Sequence, residues 1–335
     1  MLQRVPFEGE FLCRIQGGKT SVDIVPWGGS IRSIRVPDRE GSLVDVCLGY
    51  DTPGEYQTMG GALGALVGPY ANRISGASFT LNGKTFSLFA NEGANTLHSG
   101  QAGFHHSKWE LSEAGENSLL CVIEANHGEG GFPGNRRVEV TYTWQDGALT
   151  IDYKAVSDAD TVLNLTNHAY FNLAGAGEGT VEDHLITIAA DTFTPAGGDN
   201  VPTGELRAVA GTPWDLRRPT RLGDVLGAPE LGPTKGFDQN FVLNRDRTGP
   251  TARVTCPRTG ITMTVDTDME GVQLYSAGTM SQRTGKDGKT YLPTGGLCLE
   301  TQHFPDAVNK PAFPSPILRA GETFRSRTVY RFTAE

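Results

Sequence analysis

Six short segments of the chain set polar and titratable side chains where strand-like runs should be apolar. Val162–Leu173 (VLNLTNHAYFNL) inserts Asn164, Asn167, His168, Tyr170 and Asn172 among aliphatic and aromatic residues. A lone histidine in such a run is most simply a core residue hydrogen-bonded to nearby backbone, because buried polar groups are normally paired. Flanked by Asn167 and Tyr170, His168 is less easily absorbed, since each neighbour adds a polar group to satisfy. Gly295–Asp306 (GGLCLETQHFPD) closes an apolar run on Glu300, which is either solvated at a sheet rim or held in a cleft. Gln302, His303, Phe304 and Asp306 follow, a density of hydrogen-bonding and stacking groups that suits sugar binding. His98 lies in a glycine-rich stretch whose plain reading is a turn, and Asn72 and Arg73 lie in GPYANRI, where a structural ion pair is the plain reading. Asp238 in GFDQNF and Gln273 in EGVQLY complete the set. Each segment is a weak signal alone. Together, with no cofactor motif among them, they point to a polar cleft for a polyhydroxylated, neutral small molecule.

Other chemistries lack their residues. There is no P-loop, and Gly175-Ala-Gly177-Glu-Gly179 misses the dinucleotide fingerprint in spacing and context. There is no G-x-S-x-G nucleophile elbow. None of the seven histidines forms an H-E-x-x-H pair, and no cysteine stands at zinc-finger spacing from another. Glu300 and His303 make an E-x-x-H, but on a strand residues three apart point to opposite faces, so no metal site is expected.

The elements that must position these groups are strands. In Arg137–Trp144 the side chains of Val138, Val140, Tyr142 and Trp144 fall on one face and Glu139, Thr141 and Thr143 on the other. Leu149, Ile151 and Tyr153 repeat the pattern after an Asp146-Gly147 turn, and Ile261, Met263 and Val265 repeat it again. Phe79–Phe86 reads as a hairpin, since Asn82-Gly83 accepts the positive φ angles of a type I′ turn. Helical periodicity is confined to Thr220–Leu226. The 43 glycines and 19 prolines are spread among turns, with no linker between compositionally different halves. The expectation is one all-β domain over residues 1–335, a large antiparallel β-sandwich with few short helices.

A formal charge of −9 without a basic block argues against nucleic acid as a partner. Five scattered cysteines read as thiols in a reducing compartment. The N-terminus lacks the apolar core of a signal peptide, and no segment is apolar for long enough to span a membrane. The expectation is a cytoplasmic protein without membrane contact, monomeric or a homodimer. The N-x-S/T match at Asn164 falls inside a strand-like run and is not read as a glycosylation site.

At this point the motifs resemble those of the aldose 1-epimerases, or galactose mutarotases, collinearly from about Pro26 to the C-terminus. The matching segments are Gly68–Ile74, Asn91–Gly100, Gly131–Gly134, Asn164–Leu173, Thr212–Arg217, Gly236–Phe241, Gly271–Tyr275 and Leu299–Asn309. NHAYFNL and ETQHFPDAVN are the specific ones. The resemblance implies a sandwich of the galactose mutarotase type with its site in a cleft on one sheet. It implies that Glu300 is the general base and His168 the general acid. It further implies that Arg73, His98, Asp238 and Gln273 bind sugar, with Asn72 and Tyr170 lining the same pocket. The family commonly has Gly-Arg where this chain has Gly68-Pro69, which implies a local change of backbone there.

The implied reaction moves a proton from the anomeric hydroxyl and delivers one to the ring oxygen. The ring opens to an aldehyde, the C1–C2 bond rotates, and closure on the other face inverts C1. One base and one acid suffice, and no cofactor, metal or covalent intermediate is needed. A carboxylate ionised at neutral pH and a histidine kept protonated are the expected starting states. His98 either shares the acid role or binds a hydroxyl. Three rivals remain: a hexose 6-phosphate epimerase, which needs more cationic groups than Arg73; a carbohydrate-binding protein, which needs no acid–base pair; and a glycosidase, for which Asp238 is the obvious second carboxylate.

Overall fold

The computed structural model describes residues 1–246 and 248–335. Alternation of apolar and polar side chains is realised as strands, and the largest group of them forms a nine-stranded antiparallel sheet. Its spatial order is Glu110–Gly115, Ser118–Ala125, Arg136–Gln145, Ala148–Ser157, Thr323–Ala334, Ile261–Thr267, Ala252–Thr255, Leu185–Ile188 and Thr220–Arg221. Val138, Val140, Tyr142 and Trp144 are buried on one face, as their period-two spacing requires. The expected turns form: Asp146 and Gly147 take φ of 50° and 72°, and Asn82 and Gly83 take 51° and 75°.

Two further sheets cover this one. The N-terminal meander, Leu2–Phe7 through Leu43–Asp45, is five-stranded. Its Cys13, Ile15, Val22, Ile24 and Ile31 share a continuous core with Leu119, Val138, Val140 and Trp144. Burying each large apolar side chain there contributes at most roughly 1.5–3 kcal/mol. The other sheet has the order Arg207–Ala208, Thr192–Phe193, Asp238–Val242, Gly271–Tyr275 and Cys298–Gln302. Its Phe241, Val272, Leu274 and Leu299 enter the same core. The architecture is the all-β, sheet-on-sheet packing read from the sequence.

The helices are few and short. Helix within Thr220–Leu226 is trimmed to Leu222–Val225, because Thr220 and Arg221 pair with Ile186 and Leu185 at the sheet edge. A six-residue helix, Pro53–Thr58, was not anticipated. Its signal is local: Thr52 and Glu55 form a reciprocal capping box around Pro53. Among the described residues no helix is long and apolar enough to cross a membrane.

Candidate active site

Register on the third sheet gathers the polar groups of three distant segments onto one face. Asp238 pairs with Tyr275, Asn240 with Gln273, and Gln273 in turn with Glu300. Directly opposed residues share a face, so Asp238, Asn240, Gln273, Tyr275, Cys298, Glu300 and Gln302 stand together. Their strand neighbours Phe241, Val272, Leu274 and Leu299 face the core. This is the physical reason for polar side chains in apolar strand runs: the sheet has a greasy face and a functional face.

The loop Gly68–Ile74 and the stretch Asn91–Ser99 form one wall. The Gly68–Pro69 peptide, where the chain departs from the family pattern, is cis. Beyond it Tyr70 N–H donates to Ser99 Oγ (2.8 Å), and the two-residue strands Arg73–Ile74 and Thr96–Leu97 pair. Asn72 and His98 are locked reciprocally. His98 N–H donates to Asn72 O (2.9 Å), and Asn72 N–H donates to His98 Nδ1 (3.1 Å). Asn72 also accepts from Arg73 N–H through its side chain (2.9 Å). The Arg73 guanidinium is gripped by Glu92, Nε to Oε2 at 2.5 Å and Nη2 to Oε1 at 2.8 Å. That leaves Nη1 facing Asp238 at 3.8 Å.

The opposite wall is Asn164–Asn172. Its three asparagines are buried stitches between chain segments. Asn164 donates to Ala71 O and His303 O and accepts from His303 N–H. Asn167 donates to Gly64 O (2.7 Å) and accepts from Ala169 N–H. Asn172 donates to Gly179 O and Gly295 O. Gly64, at φ +72°, packs so tightly that a Cβ there would lie 2.0 Å from Ile31 O. These fixtures hold His168 and Tyr170, two residues apart and stacked with centroids 4.9 Å from each other. Tyr170 Oη donates to Gly61 O (2.9 Å).

Between the walls lies a cleft of about 340 Å³ lined by Asn72, Arg73, Glu92, His98, His105, His106, His168, Tyr170, Asp238, Tyr275 and Glu300, among others. Glu300 is 2% exposed. Its Oε1 lies 3.7 Å from His168 Nε2, and its Oε2 has no hydrogen-bond partner among the described residues. Burial pushes the Glu300 carboxyl well above the usual carboxylate range, helped by the nearby Asp238 charge and opposed by Arg73. Burial pulls His168 down to about 4, partly offset by a hydrogen bond to its own main chain. His98 is lowered by burial and by His168 and His105 beside it, and His105 falls to about 3 for similar reasons. The free cleft therefore favours neutral forms of both Glu300 and His168, unlike the ionised base and protonated acid expected from the sequence.

His98, His168 and Glu300 present ligand atoms all within 4.8 Å of one another. Their fit to a metal is poor. A ligating imidazole normally donates its other N–H to an acceptor. His98 Nδ1 instead accepts from a backbone N–H, so its neutral ring carries the proton on Nε2. The group is arranged to handle protons and hydroxyls.

Of the residues singled out from the sequence, Asn72, Arg73, His98, His168, Tyr170, Asp238 and Glu300 line the cleft. Gln273 stands behind it and donates to Asp238 Oδ1 (2.6 Å), while Asn200 donates to Oδ2. The polar run after Glu300 goes elsewhere. His303 pairs with Glu270 (2.5 Å), and Asp306 accepts from Ser75 N–H and Oγ (3.0 and 2.8 Å) to brace the Arg73 loop. Glu92, His105, His106 and Tyr275 were not selected as site residues. Tyr275 was within reach, since it shares the alternation of Gln273. Glu92 was not, because its role depends on which strand Arg73 pairs with.

A family model described as aldose 1-epimerase matches residues 12–331. Galactose mutarotase from Sus scrofa is 40% identical over 325 residues, covering 96% of this chain and 93% of that protein. Aldose 1-epimerase from Escherichia coli K12 is 33% identical over 320 residues, covering 94% and 92%. The crystal structure of an aldose epimerase homologue from C. elegans superimposes with a TM-score of 0.91 at 28% identity, covering 100% of this chain and 99% of the other.

Proposed function

The chain belongs to the aldose 1-epimerase family, and on that premise we propose how its cleft interconverts the α and β anomers of a free aldohexose such as galactose or glucose. It is an isomerase. The observation that carries the site assignment is Glu300: a buried carboxyl with one oxygen unpartnered and the other across a 3.7 Å gap from an imidazole. The anomeric hydroxyl supplies the missing partner.

Glu300 takes the proton of the C1 hydroxyl as His168 gives its Nε2 proton to the ring oxygen. The C1–O5 bond breaks, C1=O forms, and rotation about C1–C2 precedes closure on the other face. Closure returns both protons. With cyclic sugar the pair is carboxylate and imidazolium; with open-chain sugar it is carboxylic acid and neutral imidazole. Burial, which favours the neutral pair, stabilises the open-chain stage relative to the same groups in water. His98 presents Nε2–H and cannot give it up without becoming an anion, so its role is to donate to a sugar oxygen. Arg73 and Asp238 orient hydroxyls from the facing wall.

Charge supports free sugars over phosphorylated ones. Arg73 is the one permanent cation lining the cleft among the described residues, and Glu92, Asp238 and Glu300 surround it. His98, His105 and His106 are all shifted towards neutrality. A phosphate would enter against that field. The five free cysteines are all buried, in keeping with the cytoplasm as the site of action. Every group invoked comes from one chain, so monomer and homodimer serve the reaction equally.

The test is polarimetry of freshly dissolved α-D-galactose and α-D-glucose, and of their 6-phosphates, with wild type and Glu300→Gln. Faster approach to an unchanged endpoint with the free sugars, lost in the variant, is expected. Preference for the phosphates would transfer the chain to the epimerases of phosphorylated hexoses, and no acceleration of any sugar would favour a binding protein.

A further inference from the structure

His168 is flanked at both ring nitrogens by a single strand. Cys298 and Glu300, two residues apart on Cys298–Gln302, point to the same face. At about 3.3 Å per residue, that spacing approximates the span needed to place one group at each nitrogen of one imidazole. Cys298 Sγ lies 3.4 Å from His168 Nδ1, and Glu300 Oε1 lies 3.7 Å from Nε2. Cys298 is wholly buried beside Tyr275 in the sheet register.

We propose that Cys298 is a positioning residue for the acid: its sulfur accepts the Nδ1–H of His168, so that Nε2 is the nitrogen that exchanges a proton with sugar. The inference rests on the mutarotase reading of the cleft. An imidazole can release its Nε2 proton without becoming an anion only if Nδ1 keeps its own. His98 has the opposite arrangement, a backbone N–H aimed at Nδ1, and so presents a fixed donor. The two imidazoles face one cleft with opposite partners behind them, and the partner separates proton donor from hydrogen-bond donor.

Sulfur also suits the acid role in strength. A carboxylate behind Nδ1 would stabilise the imidazolium and weaken it as an acid, whereas a thiol is a feeble acceptor. Burial keeps Cys298 a thiol, raised well above its ordinary range with Glu300 adding to the effect.

The experiment pairs ¹⁵N spectroscopy of His168, taken on the sugar-free protein, with kinetics of Cys298→Ala and Cys298→Ser. Wild type should show a protonated Nδ1 and a bare Nε2 at neutral pH. Cys298→Ala should lose about tenfold or more in kcat with KM within about twofold, and Cys298→Ser should recover to within about threefold of wild type. A bare Nδ1 in wild type, or wild-type kcat in the alanine variant, would overturn the proposal. Should the alanine variant fail to fold, the wild-type spectrum and the serine variant decide. Because the tautomer is read without sugar, its failure is distinct from failure of the mutarotase reading, which polarimetry of wild type tests.

Discussion

Glu300 Oε1 and His168 Nε2 face each other across 3.7 Å, too far for a direct hydrogen bond and close enough for one sugar to touch both. The two groups are carried by segments 130 or so residues apart in the chain, brought together because Phe171 and Leu297 exchange backbone hydrogen bonds (2.8 and 2.9 Å). On the proposed mechanism one proton moves between them by way of the substrate. That proton's position, on nitrogen or on oxygen, matches the ring or the open-chain form of the sugar.

Removing either member should stop the chemistry while leaving sugar binding largely intact. Glu300→Gln and His168→Asn are each expected to lower kcat on the order of 10²–10⁴-fold. His98→Gln keeps an N–H donor and should act mainly on KM, with kcat falling by less than about tenfold. Stopped polarimetry on α-D-galactose separates the three. A His98 variant as crippled in kcat as the His168 variant would give His98 the acid role.

Glu300→Gln should also stabilise the fold at alkaline pH. A carboxyl whose folded pKa is raised above its unfolded value carries a stability contribution that is complete below the unfolded pKa. That contribution disappears as pH rises through the folded pKa. Burial, the cause of the rise, therefore makes Glu300 progressively less favourable to the fold as pH climbs from the ordinary carboxylate range into the alkaline range. Thermal melts of the variant should exceed wild type there and converge with it near pH 4. Equal melting temperatures across that range would mean the carboxylate is better solvated than its burial implies.

The sheets were legible because period two marks a half-buried strand wherever it occurs, and Asp146-Gly147 and Asn82-Gly83 mark their turns with φ requirements few other residues meet. Glu300 and His168 stood out because polar groups interrupt apolar strand runs at both, and their implied roles came from the family resemblance. Their protonation was not legible, since it depends on desolvation by residues far away in sequence. His303 and Asp306 show the converse limit. Density of polar groups suggested a sugar site, but His303 falls beyond the strand to meet Glu270, and Asp306 caps the loop of Ser75. Gln273 alternates onto the correct face, yet its amide donates to Asp238, which lines the cleft in its place.

Arg73 offers one free nitrogen to the cleft because Glu92 occupies the other two. Glu92→Gln should leave the fold intact, since Glu92 is substantially exposed. The freed guanidinium can then swing to Asp238, now 3.8 Å from Nη1, and be lost as a sugar donor. KM should rise several-fold, about 1 kcal/mol, with kcat changing less. Initial-rate kinetics on galactose check it, and an unchanged KM would show that Asp238 alone suffices to aim Arg73.

The cleft histidines should also make the fold sensitive to mild acid. His168 and His105 are held neutral by burial at about 4 and about 3, against an ordinary value near 6.5 in the unfolded chain. A group whose folded pKa is depressed contributes stability above the unfolded value and loses it as pH falls through the folded one. The unfolded chain binds more protons between those limits, so unfolding is favoured progressively from about pH 6.5 down to about pH 4. A shift the size of that at His168 corresponds to roughly 3 kcal/mol for a fully buried group. His105→Gln, which removes one such group at the rim without touching the acid–base pair, should flatten the slope of stability against pH between 6 and 4. Urea titrations across that window measure the slope directly. A slope unchanged by the substitution would mean that His105 takes up its proton in the folded protein, and the rim of the cleft would then carry positive charge in acid.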